Sequence, residues 1–188
     1  MPKIAEIEPT PNPNAMKFIL KEPLTWGITR SYDDPEQAKS DPLAAALFDI
    51  EHVTNVFYVD HWLTVTQDGK ADWNELMRQV AAPIREAPAA DEQSSEIAAH
   101  MNDAFDQSSM TDADRERLGK INELLDEQVR PYLQNDGGDL YVLALEGNRL
   151  TVHYQGACGS CPSSISGTLA GIESLLRQIE PDIEVAAV

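Results

Sequence analysis

Residues 149–179 read RLTVHYQGACGSCPSSISGTLAGIESLLRQI, and three patterns follow one another within them. Arg149–Tyr154 is rich in β-branched and aromatic residues and reads as a strand. Gly156-Ala157-Cys158-Gly159-Ser160-Cys161-Pro162-Ser163-Ser164 is a loop of small residues. Ile165, Leu169, Ile172, Leu176 and Ile179 then recur at intervals of 4, 3, 4 and 3, one apolar face of a helix. A strand leading through a cysteine loop into an amphipathic helix sets the fold class of this half of the chain as α+β.

The elements on either side extend the pattern. Thr111 with Asp114 resembles a capping box. Leu118, Ile121, Leu125, Val129 and Tyr132 line one face of the helix that follows, with a kink expected near Pro131. Asn135-Asp136-Gly137-Gly138-Asp139 stops that helix, the glycines permitting a turn into a strand. Leu140–Glu146 pairs with Arg149–Tyr154 through Gly147-Asn148, and Ile183–Val185 offers a last strand. The order is αββα(β).

Upstream, Lys17–Leu20 reads as a short strand, and Asp41-Pro42 supplies an N-cap and first-turn proline for a helix carrying Leu43, Leu47 and Ile50. Val53–Val59 and Trp62–Thr66 form a hairpin about Asp60-His61, and Trp73, Leu76, Val80 and Ile84 fit one face of a second helix. Between the halves, residues 88–110 contain no Lys or Arg but five acidic residues, a composition that buries little apolar surface. Ile97, Met101 and Phe105 within it recur at helical spacing. The expected organisation is two small α/β sandwich-like domains, 1–87 and 112–188, joined by a flexible acidic linker over 88–111.

The cysteine loop carries the chemistry. Pro162 stands where a first-turn helical proline belongs, which puts Cys161 near the N-cap. Unpaired N–H groups and the helix dipole there favour thiolate, the form that binds iron or zinc. Gly156 and Gly159 let the backbone bend closely around a bulky object. From Leu150 to Ile172 there are 23 consecutive residues without Asp, Glu, Lys or Arg, in a chain that is 24% charged. Either this strand, loop and helix are simply buried, or the loop meets another surface.

Composition narrows the classes. The formal net charge is −18, which repels phosphate backbones and anionic membranes, so neither nucleic acid nor membrane is an expected partner. Met1–Glu6 lacks the basic start and apolar run of a signal peptide, and the expected location is cytoplasmic. Two cysteines three apart are too few for a disulfide framework and read as metal binding or redox chemistry. Three other readings stay open at this level: a CxxC thiol-disulfide oxidoreductase, a structural zinc site needing two further ligands, and a pure adaptor. No Ser/His/Asp arrangement, phosphate loop or dinucleotide fingerprint marks an enzyme. Iron–sulfur clusters usually take four thiolates, and two chains meeting at their loops would supply four.

The loop Gly156–Ser164, with Asp136-Gly137-Gly138-Asp139 upstream, closely resembles the C-terminal domain of NifU and the Nfu-type iron–sulfur proteins, over about Asp112 to Val188. Thr10-Pro11-Asn12-Pro13-Asn14-Ala15-Met16-Lys17-Phe18 resembles the opening of the Nfu N-terminal domain, and Val56-Phe57-Tyr58 with Leu63–Thr66 resembles its later strands. Met16 stands where leucine is common in that family, a volume-conserving change. The resemblance implies a scaffold or carrier in iron–sulfur cluster assembly, with Cys158 and Cys161 as the ligands of a cluster that is generally [4Fe–4S], a [2Fe–2S] form staying open. It implies a cluster-bridged homodimer, upstream cluster assembly proteins that load it, and apo iron–sulfur client proteins that receive the cluster. The additional cysteine-rich domains of NifU proper are not in this sequence, which favours a carrier over a site of de novo assembly.

Overall fold

A computed structural model describes residues 1–90, 110–159 and 162–187. The acidic linker, the helical spacing at Ile97, Met101 and Phe105, and Cys161 lie outside the described residues. The chain divides into two compact units, Met1–Asn102 and Asp103–Val188.

The N-terminal unit holds strands β1 (Ile4–Pro9), β2 (Ala15–Leu20), β3 (Arg30–Tyr32), β4 (Val53–Val59) and β5 (Trp62–Gln67). They form one antiparallel sheet in the order β1-β2-β5-β4-β3. Helices α1 (Pro35–Ala38), α2 (Pro42–Phe48) and α3 (Trp73–Glu86) complete it. Phe18, Val56, Leu63 and Val65 of the sheet pack with Leu47, Leu76, Val80 and Ile84 of the helices, all essentially without solvent contact. Asp41 fixes the start of α2. One carboxylate oxygen accepts from the N–H groups of Leu43 and Ala44, and the other from the hydroxyls of Tyr32 and Tyr58. A single side chain therefore caps a helix and ties it to β3 and β4.

The hairpin expected at Asp60-His61 joins β4 to β5, with Asp60 at φ +47°. Strands β1 and β3 and helix α1 go beyond the sequence reading. β1 has three consecutive exposed residues in place of clean alternation, and β3 is only three residues long.

The C-terminal unit runs α4 (Asp112–Gln128), α5 (Arg130–Asn135), β6 (Gly138–Glu146), β7 (Arg149–Gly156), α6 (Pro162–Leu176) and β8 (Glu184–Ala187). β6 and β7 form an antiparallel hairpin, and β8 lies parallel to β7 after the crossover through α6. Leu118, Ile121 and Leu125 of α4 share a core with Leu140, Leu150, Val152, Ile172, Leu176 and Ile183. Thr111 caps α4 through the N–H of Asp114, as its sequence position implies.

Two expected core residues face solvent. Tyr132 is 73% exposed, and Leu133 is buried in its place. The helix breaks at Val129 (φ −118°, ψ −55°), and α5 restarts with Pro131 in its first turn, so the phase of α4 does not carry across. Ile179 is 43% exposed because α6 ends at Leu176, and Ile183 fills the core beyond the turn.

Candidate functional site: the cysteine loop and its glycine turn

The loop bearing Cys158 leaves the end of β7 and is held against the turn that begins β6. Gly137, at φ +83°, ends the α5 segment in the left-handed region that favours glycine. Its carbonyl accepts from the N–H of Ala157 at 3.1 Å, joining the two turns. In the strand register Gly138 lies opposite Gly156, which is at φ +64° and turns the chain out of β7.

Gly138 is required for space. A Cβ there would stand 2.5 Å from the Gln155 carbonyl oxygen, 2.7 Å from Cys158 Sγ and 3.0 Å from Cys158 Cβ. Gly159 is equally confined, since a Cβ would meet the Tyr154 carbonyl oxygen at 2.9 Å. The two glycine positions bracket Cys158, one in the neighbouring strand and one in its own loop.

Cys158 itself is 4% exposed and belongs to the core of this unit, behaving as a small apolar residue. The sequence places the cysteines on a bend open to a bulky object, whereas in the structure the Cys158 thiol points into a closed niche. Cys161 lies outside the described residues. Helix α6 begins immediately after it, at Pro162, as the first-turn proline implies.

Asp139 anchors the turn from below. It is 4% exposed, and its Oδ1 accepts from Arg130 Nη1 at 3.1 Å and from the N–H of Leu140 at 2.8 Å. Gln134 Nε2 donates to Oδ2 at 3.2 Å, and Arg130 Nη1 also donates to the Leu140 carbonyl at 2.7 Å. The carboxylate thereby clamps α5 to the start of β6 and fixes Gly137 and Gly138 where Cys158 needs them. The Asp-Gly-Gly-Asp stretch is a helix stop, as read from the sequence, and also a seat for the cysteine. Sequence reasoning missed the second role because the strand register that brings residue 138 beside residue 158 is a long-range contact.

Tyr154 completes the niche. Its buried hydroxyl finds no hydrogen-bond partner among the described residues. Burial, and then the nearby Cys158 charge, push its ionisation well above the ordinary tyrosine range. Among the described residues no group of three or more His, Cys, Asp or Glu side chains could hold a metal ion, so the zinc reading gains no ligand set there.

Residues 4–91 match the family model for the scaffold protein Nfu/NifU N terminal, and residues 121–186 match the NifU-like domain. The chain is also 34% identical, over 180 residues, to the mitochondrial NFU1 iron-sulfur cluster scaffold homolog of Homo sapiens, covering 95% of this chain and 69% of that protein. The chain belongs to the Nfu/NifU family. This family member is 32% identical to the protein of the same name from Drosophila persimilis, spanning 62% of its length. The solution structure of a NifU-like protein from Saccharomyces cerevisiae aligns with a TM-score of 0.39 at 24% identity, over 43% of this chain and 74% of that one. The family's two domains thus occupy the two units of the fold in the order the sequence resemblance implies.

Proposed function

We propose that this protein is a carrier that holds an iron–sulfur cluster between two subunits through Cys158 and Cys161 and passes it to apo-proteins. The observation that carries the reading is the seat of Cys158, a thiol lodged against Gly138 one turn before the N-terminus of a 15-residue helix. Family membership and the names of the relatives, iron-sulfur cluster scaffolds, point to the same cargo.

The chain has two cysteines, and a cluster usually takes four thiolates, so the proposed site needs a second subunit. The uncharged run from Leu150 to Ile172 gives two such loops a surface on which to meet without added repulsion. To reach that surface the Cys158 side chain turns outward from its niche. Without a cluster the thiol is accepted by the core as a small hydrophobe, which would offset part of the cost of letting the cargo go. A site shared across a small interface is open to stepwise displacement by the thiolates of an acceptor. These properties suit transfer better than retention. The N-terminal unit is assigned to recognition of clients.

Anaerobic reconstitution followed by iron and sulfide quantification and size-exclusion chromatography tests this. About four irons per dimer, appearing with dimerisation, is the expected result, and about two would assign a [2Fe–2S] form. A colourless monomer that reduces a model disulfide would replace the carrier with the oxidoreductase.

A further inference from the structure

The groove between β1 and α3 in the N-terminal unit has no part in the cysteine chemistry. It encloses about 630 Å³ and is lined by Ile4, Ala5, Glu6 and Ile7 on the strand side and by Asn74, Met77, Arg78, Ala81 and Arg85 on the helix side. β1 is the edge strand of its sheet and pairs within the sheet with β2 alone. Ile7 is 38% exposed, an unusual place for a large apolar side chain on an edge.

Charge makes the groove distinctive. The chain carries 32 acidic residues against 14 Lys and Arg, and eight of those fourteen are ion-paired to a carboxylate among the described residues. Arg78 and Arg85 are among the other six, which have no ion-pair partner among the described residues, and they line the groove together. They stand seven residues apart on one face of α3, roughly 10 Å along its axis. Glu6 is the single acidic residue in the lining, so the groove is net positive on a chain of net charge −18.

We propose that this groove is a docking site for an extended acidic segment of another protein, laid beside β1 as an added strand. The physics is that of peptide addition between a sheet edge and a helix: backbone hydrogen bonds to the edge give affinity, and alternate side chains give selectivity. Apolar side chains of the segment would cover Ile4, Ile7, Met77 and Ala81, and two carboxylates would meet the two arginines. The proposal is independent of the cluster site and gives the N-terminal unit a defined partner chemistry.

The test uses the full-length chain and a fluorescein-labelled peptide of roughly eight residues, alternating glutamate and valine, with a lysine–valine peptide as control. Fluorescence anisotropy should show saturable binding of the acidic peptide alone, weakening as salt is raised. Arg78→Glu with Arg85→Glu, both exposed positions, should weaken binding by about tenfold or more. Hydrogen exchange should slow in residues 4–9 when the peptide is bound. Equal binding of both peptides, an unchanged affinity in the arginine variant, or protection confined to other strands would each overturn the proposal. Self-association of the unliganded chain that the arginine substitutions abolish would assign the groove to a second copy and overturn it equally.

Discussion

At the scale of single residues, the site depends on groups that hold a thiol rather than on groups that react. Gly138→Ala sets a Cβ against the Gln155 carbonyl and Cys158 Sγ, and neither the strand backbone nor the adjoining loop can retreat freely. We expect a loss of about 1–3 kcal/mol in the C-terminal unit and displacement of Cys158, read as lowered unfolding midpoint and impaired cluster reconstitution. Cys158→Ser places a hydroxyl in the niche at a cost of about 1–3 kcal/mol, whereas Cys158→Ala keeps the niche apolar. Both should fail to hold a cluster, but only the serine variant should be clearly destabilised in chemical denaturation. Equal stability of the two would mean the thiol is less enclosed than its 4% exposure implies. In the other unit, burial and the Asp41 carboxylate push Tyr32 up to about 12 from its ordinary 10.0, and Tyr58 higher still. Below pH 10 both folded and unfolded forms keep these protons. Between pH 10 and about 12 the unfolded chain loses the Tyr32 proton and the folded one does not, so stability falls as pH rises. Ultraviolet titration should show Tyr32 and Tyr58 ionising with the loss of folded structure, and replacing Asp41 with Asn should bring the Tyr32 transition down.

At the scale of elements, the periodic segments were legible and the breaks between them were less so. The spacing at Leu118, Ile121 and Leu125 marks a helix whose core face is real, because successive turns repeat the same contact. The same count carried to Tyr132 fails, since Val129 and Pro131 restart the helical phase and hand the core position to Leu133. The cysteine loop was legible as chemistry because CxxC before a helix is a local pattern. Its seat was not, because Gly138 and Asp139 act through strand pairing and through Arg130 and Gln134, which no local pattern reveals. β1 escaped notice because an edge strand with three consecutive exposed residues lacks alternation, and those residues, Ala5, Glu6 and Ile7, line the groove beside α3. Helix α6 carries Ile172 and Leu176 into the core of this unit, so its core face should be intolerant of charge. Ile172, 2% exposed, changed to Asp buries an unpaired carboxylate and should cost about 3 kcal/mol or more. Amide spectra are expected to lose the C-terminal resonances and keep those of the N-terminal sheet. Collapse of both sets would show that the two units do not fold independently.

At the scale of the whole molecule, the net charge of −18 makes the average encounter with another acidic surface repulsive. In the proposed dimer, two copies approaching to share a cluster would repel each other, and the uncharged stretch from Leu150 to Ile172 would reduce that repulsion only where they touch. Salt shortens the range of the repulsion to about 10 Å at 0.1 M, so the proposed dimer should gain stability as ionic strength rises. The Arg78–Arg85 groove works in the opposite sense, because its attraction for a carboxylate-bearing segment is screened by the same ions. One salt series, from about 0.02 M to about 0.2 M, therefore separates the two surfaces. Sedimentation of the reconstituted protein should show the dimer fraction increasing with salt, while anisotropy with the acidic peptide shows affinity decreasing. If the dimer weakened instead, attraction between charged groups would be holding the subunits together. The contact would then have to lie away from the uncharged cysteine loops, and the shared-ligand arrangement could not be its origin.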